Sequence, residues 1–123
     1  YVIQRLTQLL TKPLSEARVL VIGLTYKKDV NDLRESTALT IFETLAETVK
    51  HLDYHDQYLD RVQVGDQVYQ SKPLDADRLN QYDCVLILTD HSKINYKLLV
   101  EKAPLIFDTR GVFKGSFTNV KPL

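Results

Sequence analysis

Val19-Leu20-Val21-Ile22-Gly23-Leu24-Thr25-Tyr26-Lys27-Lys28-Asp29-Val30-Asn31-Asp32-Leu33-Arg34-Glu35-Ser36 is the stretch on which the reading of this chain turns. Its first part is a continuous apolar run rich in Val, opened by Arg18 and closed by Gly23, which predicts a strand buried on both faces of a parallel sheet. A loop of interleaved cations and acids follows, and Ser36 stands where a helix N-cap belongs. Open α/β sheets bind their ligands beyond the carboxyl ends of the strands, so this order sets Lys27, Lys28 and Arg34 at a ligand edge. Cations in that place point to an anionic ligand, a phosphate ester foremost.

Helix and strand signals alternate on either side. Val2, Ile3, Leu6, Leu9 and Leu10 recur at helical spacing until Pro13 interrupts, predicting an amphipathic helix over residues 1–11. Its apolar face has no assigned partner and is therefore a candidate interface. Over residues 37–50, Ala38, Ile41, Phe42, Leu45 and Val49 share one helical face, with Glu43, Glu47 and Lys50 opposite. Residues 52–55 read as a short second strand. The polar stretch 56–72 carries Gly65 and one small β-like group, Val68-Tyr69. Residues 75–82 suit a short helix and residues 84–89 a buried strand; Tyr96, Leu99, Val100 and Ala103 mark a helical face that Pro104 ends, and residues 105–107 form a further strand. The alternation predicts an α/β fold: a Rossmann-like, doubly wound, mostly parallel sheet preceded by an N-terminal helix, with residues 18–22 as its central strand.

A chain of 123 residues suffices for one domain, burying roughly two-thirds of the surface its unfolded form exposes. Its 16 basic and 16 acidic residues cancel, so no global field draws it to nucleic acid or to an anionic membrane, and any anion site is local. The apolar runs are of strand length, short of the ~18 residues a bilayer requires, and no leader pattern opens the chain. The lone Cys84 excludes an internal disulfide and fits a reducing cytoplasm. The chain begins with Tyr1, and the expectation is an excised piece of a longer protein.

In a parallel sheet the residues that follow each strand converge on one edge. Here these are Tyr26, Lys27 and Arg34 after the first strand, Asp90 and His91 after Thr89, and Asp108, Thr109 and Arg110 after Phe107. A lysine offers a point charge, an arginine a planar fork for phosphate oxygens, and Tyr26 a ring face for a base or sugar. A nucleoside diphosphate would suit all three.

The blocks from Gly23 to Ser36, Tyr54-His55-Asp56, Thr89-Asp90-His91 and Asp108-Thr109-Arg110 resemble the C-terminal, UDP-binding domain of the UDP-glucose/GDP-mannose dehydrogenase family. The resemblance covers residues 14–113 in order and is strongest toward the UDP-N-acetylglucosamine and UDP-N-acetylmannosamine 6-dehydrogenases. It implies a larger enzyme whose N-terminal domain binds NAD, whose central helix dimerises, and whose C-terminal domain closes over the UDP half of the substrate. It also implies oxidation of a sugar C6 alcohol to a carboxylate through a cysteine-bound intermediate, in the supply of polysaccharide precursors. Residues 1–13 then correspond to the end of the central helix and 14–123 to the UDP-binding domain; the NAD-binding and catalytic cysteine regions lie outside this chain. By the same resemblance Lys27 and Arg110 match substrate-contacting positions, Tyr26 a neighbouring aromatic contact, and Arg34 an arginine of the same loop. The implied partners are a UDP-sugar, the enzyme's own NAD domain and a second subunit.

Gln57 departs from the proline frequent in this family, and Gly111 stands where asparagine is usual, beside Arg110. Plainer readings stand next to the functional ones. Lys27 and Lys28 would also serve as solvated charges paired with Asp29 and Asp32, Arg34 as a structural partner of Glu35 or Asp32, and Arg110 as a loop tether to Asp108. Cys84 opens an apolar strand, where burial makes a thiol inert, so it reads as structural. Asp90-His91 has no nucleophile placed for it and reads as loop-shaping; His51, His55 and His91 lack metal-site spacing, and no metal is expected. Gly23 is followed by Leu24-Thr25-Tyr26 in place of a three-glycine fingerprint, which argues against dinucleotide binding here. Two rivals remain: UDP-glucose as the substrate, and a non-catalytic nucleotide-binding or interaction module.

Overall fold

Val19 to Ile22 have no exposure at all, and they form most of β1 (Arg18–Ile22) in a computed structural model that describes residues 1–25 and 36–123. β1 lies between two parallel neighbours, β2 (His51–His55) and β5 (Cys84–Ile87), with Ile22 in register with both His55 and Ile87. Two further parallel strands, β6 (Ile106–Asp108) and β7 (Val120–Pro122), complete a five-stranded sheet of order β2-β1-β5-β6-β7. Counted along the chain within this sheet, the order is second, first, third, fourth, fifth, the flavodoxin-like doubly wound arrangement. The expected parallel α/β architecture is thus present. The middle strand is β5, however, and β1 is an interior strand beside the edge strand β2.

Alternation along the strands supplies two apolar layers. Val19, Val21, Cys84, Leu86 and Phe107 face the helix α2 (Thr37–Thr48), which contributes Ala38, Phe42 and Leu45. Leu20, Ile22, Val85, Ile87 and Ile106 face the opposite layer, built on α3 (Ala76–Leu79) and α4 (Tyr96–Lys102) through Leu79 and Leu99. The start of α2 follows the sequence signal, since Ser36 Oγ accepts from Leu39 N at 3.0 Å. Asp75 and Asn95 cap α3 and α4 in the same way.

The N-terminal helix α1 (Val2–Leu9) does find a partner. Leu6 is fully buried in the α2 layer, and Val2, Ile3, Leu9 and Leu10 pack half-buried against it, so the face expected to lie unpartnered is largely covered within the chain.

The sequence reading caught only the Val68-Tyr69 part of one further feature and missed another. The polar stretch holds an antiparallel hairpin, β3 (Arg61–Val64) and β4 (Gln67–Gln70), whose Val62 and Tyr69 pack on the α2 layer; the Tyr69 ring stands edge-on to Phe42 at 5.0 Å. β7 is only three residues long and contains Pro122, which an outermost strand tolerates because its outward N–H groups need no partner. Among the described residues no helix is long and apolar enough to cross a membrane.

Candidate functional site

The winding reverses between β1 and β5, so the crevice at their carboxyl ends is the topological switch point at which doubly wound sheets receive ligands. Gly23 makes the two strand exits meet. Its φ is +86°, and a Cβ placed there would lie 2.5 Å from the Thr89 Cβ and 2.9 Å from the Thr89 carbonyl oxygen. Only glycine allows that approach at that backbone angle. Thr89 then donates through Oγ1 to the Thr25 carbonyl at 3.0 Å, locking one exit to the other.

Asp56 is the hub of this edge. It follows β2, is 1% exposed, and takes N–H groups from Leu24 (2.9 Å) and Thr25 (3.3 Å) on Oδ2 and from Tyr58 (2.9 Å) on Oδ1. His91, fully buried after β5, places Nε2 3.2 Å from the same Oδ2 and 3.1 Å from Thr25 Oγ1. Burial by itself would raise the Asp56 pKa; the hydrogen bonds from His91, Leu24 and Tyr58 outweigh it and hold the carboxyl below its ordinary value. An ionised carboxylate only accepts, so the His91 nitrogen facing it carries the proton. One side chain therefore ties together the ends of three strands.

Thr25 and Ser36, the described residues on either side of the sequence-predicted cations, are both fixed at the exit of β1. Thr25 is held at its N–H, its hydroxyl and its carbonyl. Ser36 Oγ, besides capping α2, donates to the Leu24 carbonyl at 2.6 Å and so holds the start of α2 against the exit of β1. Tyr26, Lys27, Lys28 and Arg34 themselves lie outside the described residues.

Arg110, the remaining candidate, is described. It is exposed just beyond β6, on the same edge of the sheet. Asp108, 3% exposed, does tether this turn, but through the main chain: its carboxylate accepts from the N–H groups of Arg110 (3.1 Å), Val112 (3.2 Å) and Phe113 (3.0 Å). Thr109 Oγ1 donates to the Ile87 carbonyl at 2.5 Å and fastens the turn to β5. Gly111 has φ +67°, in the left-handed region that asparagine and glycine both tolerate, so the departure from asparagine leaves the turn geometry intact.

Asp90 and His91 diverge. His91 enters the Asp56 hub, whereas Asp90 accepts from Tyr96 Oη at 3.0 Å at the start of α4, so the two are not an acid and base pair. Burial pushes the Cys84 thiol up to about 12, where it is neither nucleophile nor metal ligand at neutral pH. His51 and His55 are spent elsewhere, on Asp53 Oδ2 at 2.8 Å and on the Lys72 carbonyl at 2.6 Å. The roles of Asp56, Thr25 and Thr89 were not assigned from sequence; the available signal was an aspartate placed directly after a buried strand.

On this edge Arg110 stands exposed on a turn fixed to β5, two strands away from the exit of β1. The sequence pattern of the UDP-glucose/GDP-mannose dehydrogenase family, UDP binding domain, matches residues 20–115. The NDP-N-acetyl-D-galactosaminuronic acid dehydrogenase of Ralstonia solanacearum is 29% identical over 119 residues, 92% of this chain and 27% of that protein. The UDP-N-acetyl-D-mannosamine dehydrogenase of Methanococcus vannielii is 29% identical over 110 residues, 80% of this chain and 24% of that protein. The native structure of the UDP-N-acetyl-mannosamine dehydrogenase Cap5O from Staphylococcus aureus matches with a TM-score of 0.72 and 32% identity, over 99% of this chain and 29% of that one. The chain thus spans about a quarter of the length of the curated relatives it matches.

Proposed function

This chain belongs to the UDP-glucose/GDP-mannose dehydrogenase family as a UDP-binding domain, and on that premise we propose that it holds the UDP half of a UDP-N-acetylhexosamine for an NAD-dependent 6-dehydrogenase. That enzyme oxidises the sugar C6 alcohol to a carboxylate: two hydrides pass to two NAD molecules, and water supplies the second carboxylate oxygen. NAD and the cysteine nucleophile belong to the remainder of the protein, and residues 1–13 are the end of its central, dimer-forming helix. The product serves polysaccharide synthesis in the cytoplasm.

Within this scheme the domain binds and orients. Arg110 grips diphosphate oxygens with its planar fork, Lys27 adds a point charge, Tyr26 stacks on the base or sugar, and Arg34 holds the loop. The observation that carries the reading is the placement of Arg110: exposed at the carboxyl edge, with the tether to Asp108 made by its backbone N–H.

Calorimetric titration of the full-length protein with UDP tests it. Arg110→Ala and Lys27→Ala are each expected to weaken UDP roughly 10- to 100-fold, the loss of about 1.5 to 3 kcal/mol that accompanies a charge-assisted hydrogen bond. Wild-type affinity in both variants would overturn the site. Turnover of the UDP-N-acetylhexosamines in preference to UDP-glucose is the expected outcome for the sugar.

A further inference from the structure

The segment 108–113 is a closed backbone turn whose single exposed cation is Arg110. Three successive constraints define it. The Asp108 carboxylate, buried at the end of β6, gathers the N–H groups of Arg110, Val112 and Phe113 on its two oxygens. Gly111 sits at φ +67° and lets the chain reverse between them. Phe113 anchors the far end, its ring edge-on to Tyr96 at 5.6 Å and to Phe117 at 5.9 Å. Thr109 adds a bond from Oγ1 to the Ile87 carbonyl, so the turn is fixed to the middle strand of the sheet.

From this geometry we infer that Asp108 is a positioning residue for nucleotide binding: it aims Arg110 at the diphosphate by fixing that residue's backbone, without touching the ligand. The inference rests on the reading of Arg110 as a diphosphate contact. An arginine on a free loop must be ordered when it binds, and each immobilised long side chain or loop segment lowers affinity. A turn already closed on a buried carboxylate has met that cost during folding.

The sign of the effect separates this role from a plain electrostatic one. A carboxylate near a phosphate site repels the ligand through space, so if charge were all that mattered, removing Asp108 would tighten UDP binding. Positioning predicts the reverse.

UDP titration of the full-length protein is the test, with folding of each variant checked by thermal melting. Asp108→Ala is expected to weaken UDP roughly tenfold in the wild-type background and to have no further effect in Arg110→Ala, because residues acting through one contact are not additive. Asp108→Asn, which keeps one acceptor oxygen, is expected to recover part of the affinity. Gly111 supplies an independent handle should Asp108→Ala fail to fold. Beyond its two chain neighbours nothing lies within 4 Å of a Cβ added there, so Gly111→Val acts chiefly through the backbone preference at φ +67°. It should weaken UDP in the same Arg110-dependent way, while Gly111→Asn should bind as the parent does.

Unchanged or tighter UDP binding in folded Asp108→Ala and Gly111→Val, with Arg110→Ala still weak, would overturn the inference and leave the proposed function standing. An Arg110→Ala variant that binds UDP normally would remove the reading on which the inference rests.

Discussion

The two edges of the sheet both use an aspartate to tie chain segments together, and they do it in opposite physical settings. At the amino edge Asp83, whose side chain is 26% exposed, accepts from the Arg18 N–H at 2.8 Å and pairs with the Lys12 ammonium, 43% exposed, at 3.1 Å. It stands beside an open groove of about 390 Å³ lined in part by Leu9, Lys12, Tyr82 and Leu105. At the carboxyl edge Asp56 and Asp108 are buried, and most of their partners are backbone amides. A solvated pair is exchangeable with water and contributes little, whereas a buried carboxylate saturated with main-chain donors dictates the path of every loop that supplies one. The edge proposed to receive the ligand is the one built in the second way, which suits holding a proposed contact such as Arg110 at a fixed place.

Substitutions at the hub should break this contrast most visibly. Asp56→Ala leaves the Leu24, Thr25 and Tyr58 amides and the His91 ring without their buried acceptor, and the expected loss is about 3 to 5 kcal/mol in urea unfolding. A loss below about 1 kcal/mol would put the two edges on one footing. Gly23→Ala comes next: a Cβ 2.5 Å from the Thr89 Cβ, at a φ of +86°, combines overpacking with left-handed strain and should cost about 2 to 4 kcal/mol. A melting temperature equal to that of the parent would show that the two strand exits yield easily.

Acid sharpens the comparison further. The folded-state pKa of Asp56 lies below its unfolded value, so its contribution is complete above the ordinary carboxylate range near pH 4 and disappears as pH falls through the folded value. Asp56→Asn should therefore flatten the decline of stability with acid. A residual slope should survive from Asp53, where burial raises the pKa but the Tyr82 and His51 hydrogen bonds lower it by more, and from Asp83. Identical slopes for parent and variant would mean that Asp56 does not drive the acid limb. The smallest effect belongs to the amino edge: Lys12→Ala should change stability by less than about 1 kcal/mol and lose even that in high salt. A larger, salt-resistant loss would show that the pair is better shielded than its exposure indicates.

The legible parts of this molecule are those governed by local pattern. Val19 to Ile22, with four apolar residues in a row, and the Ser36 cap with the 3.6-residue repeat of Ala38, Phe42 and Leu45, were read correctly because burial and capping act over neighbouring residues. The hairpin Arg61–Val64 and Gln67–Gln70 was read only as the β-like pair Val68-Tyr69, since its strands alternate weakly and it is held by Val62 in the α2 layer and by Tyr69 on Phe42, far away in sequence. The third strand beyond β1, Val120–Pro122, escaped because three residues with a lysine and a proline carry almost no strand signal and only the neighbouring β6 makes them one. The helix Val2–Leu9 was recognised, but its partner was not, for amphipathicity reports that a face is covered and never by what.

The same division runs through the candidate site. The sequence alone determined the edge of the sheet on which the polar residues collect, because strand direction in a doubly wound α/β chain forces every strand exit to one side. It also named Arg110, along with Tyr26, Lys27 and Arg34, as a candidate at that edge. Only the tertiary structure decided that Asp56, His91, Thr25 and Thr89 form one hydrogen-bonded hub, and that Gly23 serves a close approach between strand exits. Those contacts join residues more than thirty positions apart, and their geometry follows from strand order and register. No local pattern in the chain encodes either of these.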